Sequence, residues 1–302
     1  MAKGRDLGTT LSVLRTENVP LREVSGVCLR RETAGDMALV AIGDRTAVAA
    51  WIELPDFDGG EYVWQTVDLA DVEGSRLPKD DPQIEAVCAD GAGRILLLQE
   101  APPRVELLDW EARRVVTSIE LHMPGEHPLH ASWVHPDGSR GEGAAFLRNG
   151  HLLIAKEKDP AAFIEFGPAG EAPSGFSPGT ALEGGTRWPV EPGDHVFVGL
   201  AVWMPSKALL DACADFSDLE VGPDEHLYLL SDKSASIARL ADLATDDDVA
   251  SPSEIWQLPE LDGKPEGLAF TRNGRAIVAL DTKKAKHNLL LLEPPIAAAT
   301  AS

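Results

Sequence analysis

Cysteine is scarce in this sequence. Cys28, Cys88 and Cys213 are the only three, and their spacing suits neither a zinc site nor a disulfide framework. Cys28 and Cys88 each follow a polar residue, Ser25 or Glu85, by three positions, and Ala145 and Ala269 fill that place elsewhere. Both therefore read as small core residues. Positive charge is also short: 27 Lys and Arg face 49 Asp and Glu, a net charge of −22. Such a surface repels phosphate backbones and anionic lipid, which excludes nucleic acid as a partner. No stretch is apolar for long enough to span a bilayer, so no membrane partner is expected. The start, Met-Ala-Lys-Gly-Arg-Asp-Leu-Gly, lacks the apolar run of a secretory signal and points to a cytoplasmic protein. Neither a nucleophile elbow nor a phosphate-cradling glycine loop occurs.

What is present is a repeat. The segment from Gly141 to Pro160 holds a Glu, a short apolar run, Asn149-Gly150, a second apolar run and a second Glu. Glu142 and Glu157 are 15 positions apart, as are Glu85 and Glu100, Ser217 and Asp232, and Glu266 and Asp281. A fifth copy, Ser25 to Asp44, takes 19. Spaced copies of one supersecondary unit indicate a repeat architecture. Each copy reads as a hairpin, because Asn149-Gly150 and Asn273-Gly274 are two-residue turn signals that favour positive φ at both positions. The copies run through the whole chain, so 1–302 reads as one domain. Residues 1–10 and 296–302 read as flexible termini, and 167–194, rich in Gly, Pro, Glu and Ser, as a long surface insertion.

Further apolar runs follow each hairpin, among them Tyr62–Leu69, Val105–Trp110, Val115–Leu121, Phe163–Phe166, His195–Trp203, Ile237–Leu240 and Ile255–Leu258. Four strands per unit, with the last unit one short, is the pattern of an all-β single β-propeller of five four-stranded blades. Six blades is the alternative. Leu11–Arg15 can supply the missing strand, closing the ring and removing an exposed edge.

In an antiparallel pair the start of the first strand lies beside the end of the second. The paired polar positions therefore converge on one face. The inner ring is Ser25, Glu85, Glu142, Ser217 and Glu266; the second is Asp44, Glu100, Glu157, Asp232 and Asp281. Two carboxylates 4 Å apart repel by roughly 4 kcal/mol at an effective dielectric of 20, so such a cluster needs cations, a metal or protons. Arg45, Lys156, Lys158, Lys233, Lys283 and Lys284 flank the second ring. They can pair with its acids, or leave Ser25, Asp44, Arg45, Glu100, Lys156, Lys158, Ser217, Asp232, Lys233, Asp281 and Lys283 free to bind a ligand. Glu85, Glu142 and Glu266 have no basic neighbour in sequence, and oxygen ligands of that kind suit calcium or magnesium. His127 and His130 lie in the link between the second and third blades, placed to arch over the channel mouth. Either is a candidate general base, as is Glu157.

Three stretches carry a resemblance. Glu142-Gly-Ala-Ala-Phe with Leu153-Ile-Ala-Lys-Glu-Lys-Asp-Pro160, Asp215-Phe-Ser-Asp-Leu219 with Leu230-Ser-Asp-Lys-Ser234, and Pro265-Glu-Gly-Leu-Ala-Phe270 resemble the SdiA-regulated protein family. The resemblance covers residues 20–293 and implies a propeller of the group that includes NHL-repeat, phytase-like and lactonase-like proteins. Ser-Asp stands where the family usually has Ser-Gly, and Glu85-Ala86 replaces Glu-Gly. Two functions are expected. One is a metal-assisted hydrolase of an ester, lactone or phosphoester, using a divalent cation on Glu85, Glu142 and Glu266. The alternative is a non-catalytic propeller that binds a small molecule or peptide on the same face.

Overall fold

A computed structural model describes residues 8–31, 37–54, 62–135 and 139–295. The chain is all-β, and its strands fall into five antiparallel runs of four. Unit one comprises Val24–Arg31, Met37–Gly43, Val48–Leu54 and Gln65–Asp68, and unit two Ile84–Ala89, Ile95–Gln99, Arg104–Asp109 and Arg114–His122. Unit three comprises Gly141–Phe146, Leu152–Lys156, Ala162–Pro168 and Gly193–Pro205. Unit four has Asp218–Val221, Leu227–Ser231, Ser236–Leu240 and Pro252–Gln257. Unit five has Lys264–Phe270, Ala276–Asp281 and Leu289–Leu292, completed by Val13–Glu17, which pairs antiparallel with Leu289–Leu292.

The first strands of the units pack on one another in a cycle: one on two, two on three, three on four, four on five, and five back on one. Five apolar clusters fill the five gaps between consecutive units. Each sheet is thus covered on both faces, which explains why inner strands such as Ile95–Gln99 are buried at every position rather than at alternate ones. Each fully buried Leu or Ile contributes roughly 1.5–3 kcal/mol. Cys28, Cys88 and Cys213 are free thiols buried in these clusters.

Outer edges are covered as well. The fourth strand of unit three, longer than the expected His195–Trp203, pairs in parallel with Arg114–His122 of unit two, from Thr117 opposite Gly193 to His122 opposite Val198. Thr9–Thr10 adds in parallel to Pro252–Gln257. Gly8 makes that approach possible: its φ is +67°, and a Cβ there would stand 2.1 Å from the Ile255 carbonyl oxygen. Thr9 and Thr10 are therefore part of the sheet. The remaining terminal residues, 1–7 and 296–302, lie outside the described residues.

Three local expectations are corrected. The Asn-Gly turns carry positive φ at Gly150 (94°) and Gly274 (79°), but at neither asparagine. In the first, the Gly150 amide donates to the Leu147 carbonyl and the Leu147 amide to the His151 carbonyl; Thr271 to Arg275 repeats both bonds. This is the three-residue hairpin loop with a bulged glycine, which needs one positive φ rather than two. The strand expected from Tyr62 begins only at Gln65. Residues 167–194 are not a plain surface excursion, since Phe176, Ala181 and Trp188 are buried. The stretch straps units two, three and four together. Phe176 bridges Leu243, Ala181 bridges Leu147, and the Trp188 amide donates to Asp90 Oδ2 at 3.0 Å. Glu165 anchors it, accepting the amides of Ser174 and Gly175 at 2.9 Å and facing His151 Nδ1 at 2.6 Å.

Candidate functional site

First strands start, and second strands end, on one face, called here the upper face. At its centre is a cavity of about 390 Å³. All five inner-ring residues line it: Ser25, Glu85, Glu142, Ser217 and Glu266. The strand pairing places them there by a device that spacing alone does not reveal. Register skips one residue between Val24 and Gly26, Ile84 and Ala86, Gly141 and Gly143, and Pro265 and Gly267. Ser25, Glu85, Glu142 and Glu266 each occupy a β-bulge, which re-aims the side chain. In unit four the Ser217 amide donates to the Leu230 carbonyl, the residue that Asp218 also opposes.

The residue after each bulge lies where neighbouring first strands nearly touch. A Cβ on Gly143 would meet the Leu219 nitrogen at 2.3 Å. Asp218 fills that position in unit four, and its carboxylate accepts the amides of Leu219 and Leu268, both at 2.7 Å. It pins unit four to unit five, and burial raises its pKa well above the usual range.

Four second-ring acids, Asp44, Glu157, Asp232 and Asp281, also line the cavity. Glu100 does not: its Oε1 accepts the Arg140 amide at 2.9 Å, which holds it against the link into unit three. Cations line the cavity too. Arg45 pairs with Asp44 and Asp81 at 3.2 Å, Lys233 with Asp215 at 3.6 Å, and Lys158 with Glu157. Two predicted ligand lysines lie elsewhere. Lys156 is 0% exposed, with its ammonium on the Lys158 carbonyl, because the second strand of unit three turns it into the interior. Burial lowers its pKa. Lys283 sits in an adjoining hollow with Lys284, Lys286 and His287, which shares Lys264 and Asp281 with the cavity. The hydroxyls of Ser25 and Ser217 serve the backbone: Ser25 donates to the Ile84 carbonyl at 2.6 Å, and Ser217 accepts the Asp232 amide at 3.0 Å.

His127 and His130 do not line the cavity. The link carrying them forms the helix His130–Val134 and is tied down at the outer strands. His130 Nδ1 bonds the Met123 carbonyl at 2.8 Å, His127 Nδ1 accepts the Leu129 amide at 3.1 Å, and a Cβ on Gly199 would lie 3.5 Å from the His127 ring. An arch over the channel mouth is thus not what this link forms.

Sequence reasoning missed Glu23, Asp215 and Lys264, all of which line the cavity. A signal for them existed. Two positions ahead of the inner ring stand Glu23, Gln83, Arg140, Asp215 and Lys264, polar in every unit. Asp215 is buried, accepting the Ser231 hydroxyl at 2.6 Å and the Lys233 amide at 3.1 Å.

Crowding shows in the acidities. Burial, with Glu100, Asp44 and Glu266 adding repulsion, pushes Glu85 up to about 8. Burial and Asp232 push Glu266 up to about 8 against the pull of Lys264. Glu142 rises well above the carboxylate range through burial and then Glu85, and burial also raises Asp44, Asp232 and Asp281. The donor set is wholly hard oxygen, suited to calcium or magnesium, and Asp44 Oδ1 is buried without a hydrogen bond among the described residues. The spacing does not close on an ion: among the described residues no three His, Cys, Asp or Glu side chains are grouped to hold one. No helix among the described residues is long and apolar enough to cross a membrane.

No protein-family model matches the chain, and no curated protein matches it. Solved structures resemble it remotely. A streptogramin B lyase is 12% identical, with a TM-score of 0.45 over 94% of this chain and 97% of the other. A gluconolactonase from Xanthomonas campestris is 13% identical, with a TM-score of 0.44 over 97% and 88%. Virginiamycin B lyase from Staphylococcus aureus is 10% identical, with a TM-score of 0.40 over 89% and 68%. The architecture described above rests on the strand pairing, not on these likenesses.

Proposed function

We propose that the chain is a five-bladed β-propeller of the SdiA-regulated type. On this reading its upper cavity binds a divalent cation, calcium or magnesium, together with a small anionic molecule. One observation carries it: nine carboxylates from all five units line a single cavity of about 390 Å³ against four cationic side chains. Several of those acids hold protons well above their ordinary range. A hard cation relieves the same repulsion that the protons now relieve.

Glu85, Glu142 and Glu266 would hold the cation, which requires them to draw together, since no three acids are grouped for it among the described residues. Once bound, a divalent cation supplies a Lewis acid that polarises a substrate oxygen or acidifies water. The chain's own groups do the rest. Lys158, Lys233 and Lys264 orient the anionic end of the ligand, and Glu157 at the wall accepts or returns a proton. The reaction class this supports is hydrolysis of an ester, lactone or phosphoester. Neither nucleic acid nor a membrane is a partner on this reading, and the protein works in the cytoplasm. Non-catalytic binding is the second reading, favoured by the position of His127 and His130 away from the cavity.

Calorimetric titration with calcium and with magnesium, alongside turnover of an aryl acetate, a sugar lactone and an aryl phosphate, tests both. Millimolar or tighter cation binding that Glu142→Gln weakens tenfold or more is expected. Binding without turnover of any of the three leaves the second reading. Absence of cation binding by either metal removes the first.

A further inference from the structure

The opposite, lower face carries a larger cavity of about 860 Å³, bounded by the end of unit one's first strand, two turns of unit two and the strap of residues 169–192. Its chemistry runs against the rest of the molecule. In a chain with a net charge of −22, five arginines line it, Arg30, Arg31, Arg94, Arg114 and Arg187, against two carboxylates, Asp109 and Glu111.

Two of the guanidinium groups are built into the interior. Arg94 is 6% exposed. Its Nε and Nη2 donate to Asp90 Oδ2 at 2.8 and 2.6 Å, and Nη2 also donates to the Trp188 carbonyl at 2.6 Å. Nη1 is buried with no hydrogen-bond partner among the described residues. Arg30, 2% exposed, lies over the Trp110 ring at 5.5 Å and reaches Glu111 Oε1 at 3.1 Å. Asp90 fixes this floor from beneath, also accepting the Ala92, Arg94 and Trp188 amides at 2.9 to 3.0 Å. The wall is equally set: the Gly91 amide donates to the Thr186 carbonyl at 2.9 Å, and a Cβ on Gly91 would lie 2.1 Å from the Thr186 nitrogen.

The rim is different. The side chains of Arg31, Arg114 and Arg187 are exposed, and none has an ion pair or side-chain hydrogen bond among the described residues. Asp109 is already engaged, accepting the Ala112 amide at 3.0 Å, and Glu111 belongs to Arg30. Three unpaired guanidinium groups around two fixed ones repel one another, and folding gains nothing from the crowding. Guanidinium forks match oxyanions in geometry and charge, and the volume suits a small-molecule ligand.

We propose that this lower cavity is a binding site for a compact, multiply charged oxyanion, borne by a phosphorylated or a polycarboxylated small molecule. Arg94 and Arg30 receive it from within; Arg31, Arg114 and Arg187 close on it from the rim. The site stands apart from the upper cavity and does not depend on the function proposed for it.

Calorimetry on the full chain, passed over chelating resin to remove divalent cations, tests the assignment with inorganic pyrophosphate and separately with citrate at constant ionic strength. Saturable one-to-one binding of at least one probe is expected, weakened roughly tenfold by Arg31→Ala and by Arg187→Ala and unchanged by Glu142→Gln. Pyrophosphate binding alone identifies a phosphoryl ligand; citrate alone identifies a carboxylate one. Saturation by neither probe overturns the proposal, as does binding that both rim variants leave within twofold. Loss of binding with Lys284→Ala instead would move the anion to the basic hollow beside the upper cavity and overturn it equally. The rim variants carry the test because Arg31 and Arg187 are exposed and their removal spares the buried Asp90–Arg94 pair.

Discussion

The two faces of the ring solve opposite electrostatic problems. Above, carboxylates from five units meet around the axis and are kept there partly as neutral acids, with Glu85 and Glu266 holding protons up to about pH 8. Below, guanidinium groups from unit one, unit two and the strap meet around one cavity. They cannot be neutralised, since arginine does not give up its proton in proteins. Charge on the upper face is therefore adjustable by pH, while on the lower face it is fixed and must be matched by Asp90, by Glu111 or by something from solution. Repetition makes the upper site, because four of the five units contribute the same bulged position and unit four places Ser217 alongside them. Irregularity makes the lower one, because the end of unit one's first strand, two turns of unit two and the strap supply it once.

The largest expected effect separates the faces by destroying one. Asp90→Ala would leave Arg94 charged and unpaired in the interior and release three backbone amides. A loss of about 3–5 kcal/mol in urea unfolding is expected. If the variant still folds, lower-face anion binding should disappear while upper-face cation binding persists. Asn288→Ala strikes both faces through ring closure. Asn288 is fully buried, accepts the Val19 amide at 2.8 Å and donates to the Val19 and Leu21 carbonyls at 3.1 and 2.9 Å. About 2–4 kcal/mol should be lost, because these buried backbone groups would have no replacement.

A subtler test uses the protons. For Glu266, with its pKa raised from 4.5 to about 8, the folded chain holds a proton that the unfolded chain has already released between those values. Stability from this group is therefore complete below pH 4.5 and declines as pH rises toward 8. Glu266→Gln should match the natural protein at pH 5 and exceed its stability by about 1–3 kcal/mol at pH 9. Equal pH dependence of the two in chemical denaturation would refute the assignment. Smallest of all, Lys233→Ala removes a pairing with Asp215 at 3.6 Å from a side chain that is 56% exposed. A change under about 1 kcal/mol is expected, and a larger one would make the rim lysines structural rather than ligand-directed.

Much of the upper face could be read from residue spacing. The 15-residue interval from Glu142 to Glu157 places hairpin ends together whatever the blade count, and Leu11–Arg15 was the natural candidate for a fifth unit one strand short. Bulges were not readable, because a skipped residue leaves no mark on the spacing between units. Nor was the burial of Lys156, since Leu152–Lys156 is buried at every position and leaves no alternation to read. His127 and His130 misled because closeness in sequence to a blade junction does not say which radius the link follows. The lower site had no repeat to announce it: Arg30, Arg94 and Arg187 are distant in sequence and meet only because the strap crosses back beneath unit two.

The pairing of Val13–Glu17 with Leu289–Leu292 has a consequence for how the molecule is made. The ribosome delivers Val13–Glu17 well before Leu289–Leu292, so the first strand of that clasp must wait while units one to four are made. At roughly 5–20 residues per second, the wait lasts on the order of tens of seconds. During it, units one to four can stack, but the gap between unit five and unit one stays open. Tension that draws Val13 away from Leu292 would peel this clasp one bond at a time, since the two lie opposite each other at one end of the pair.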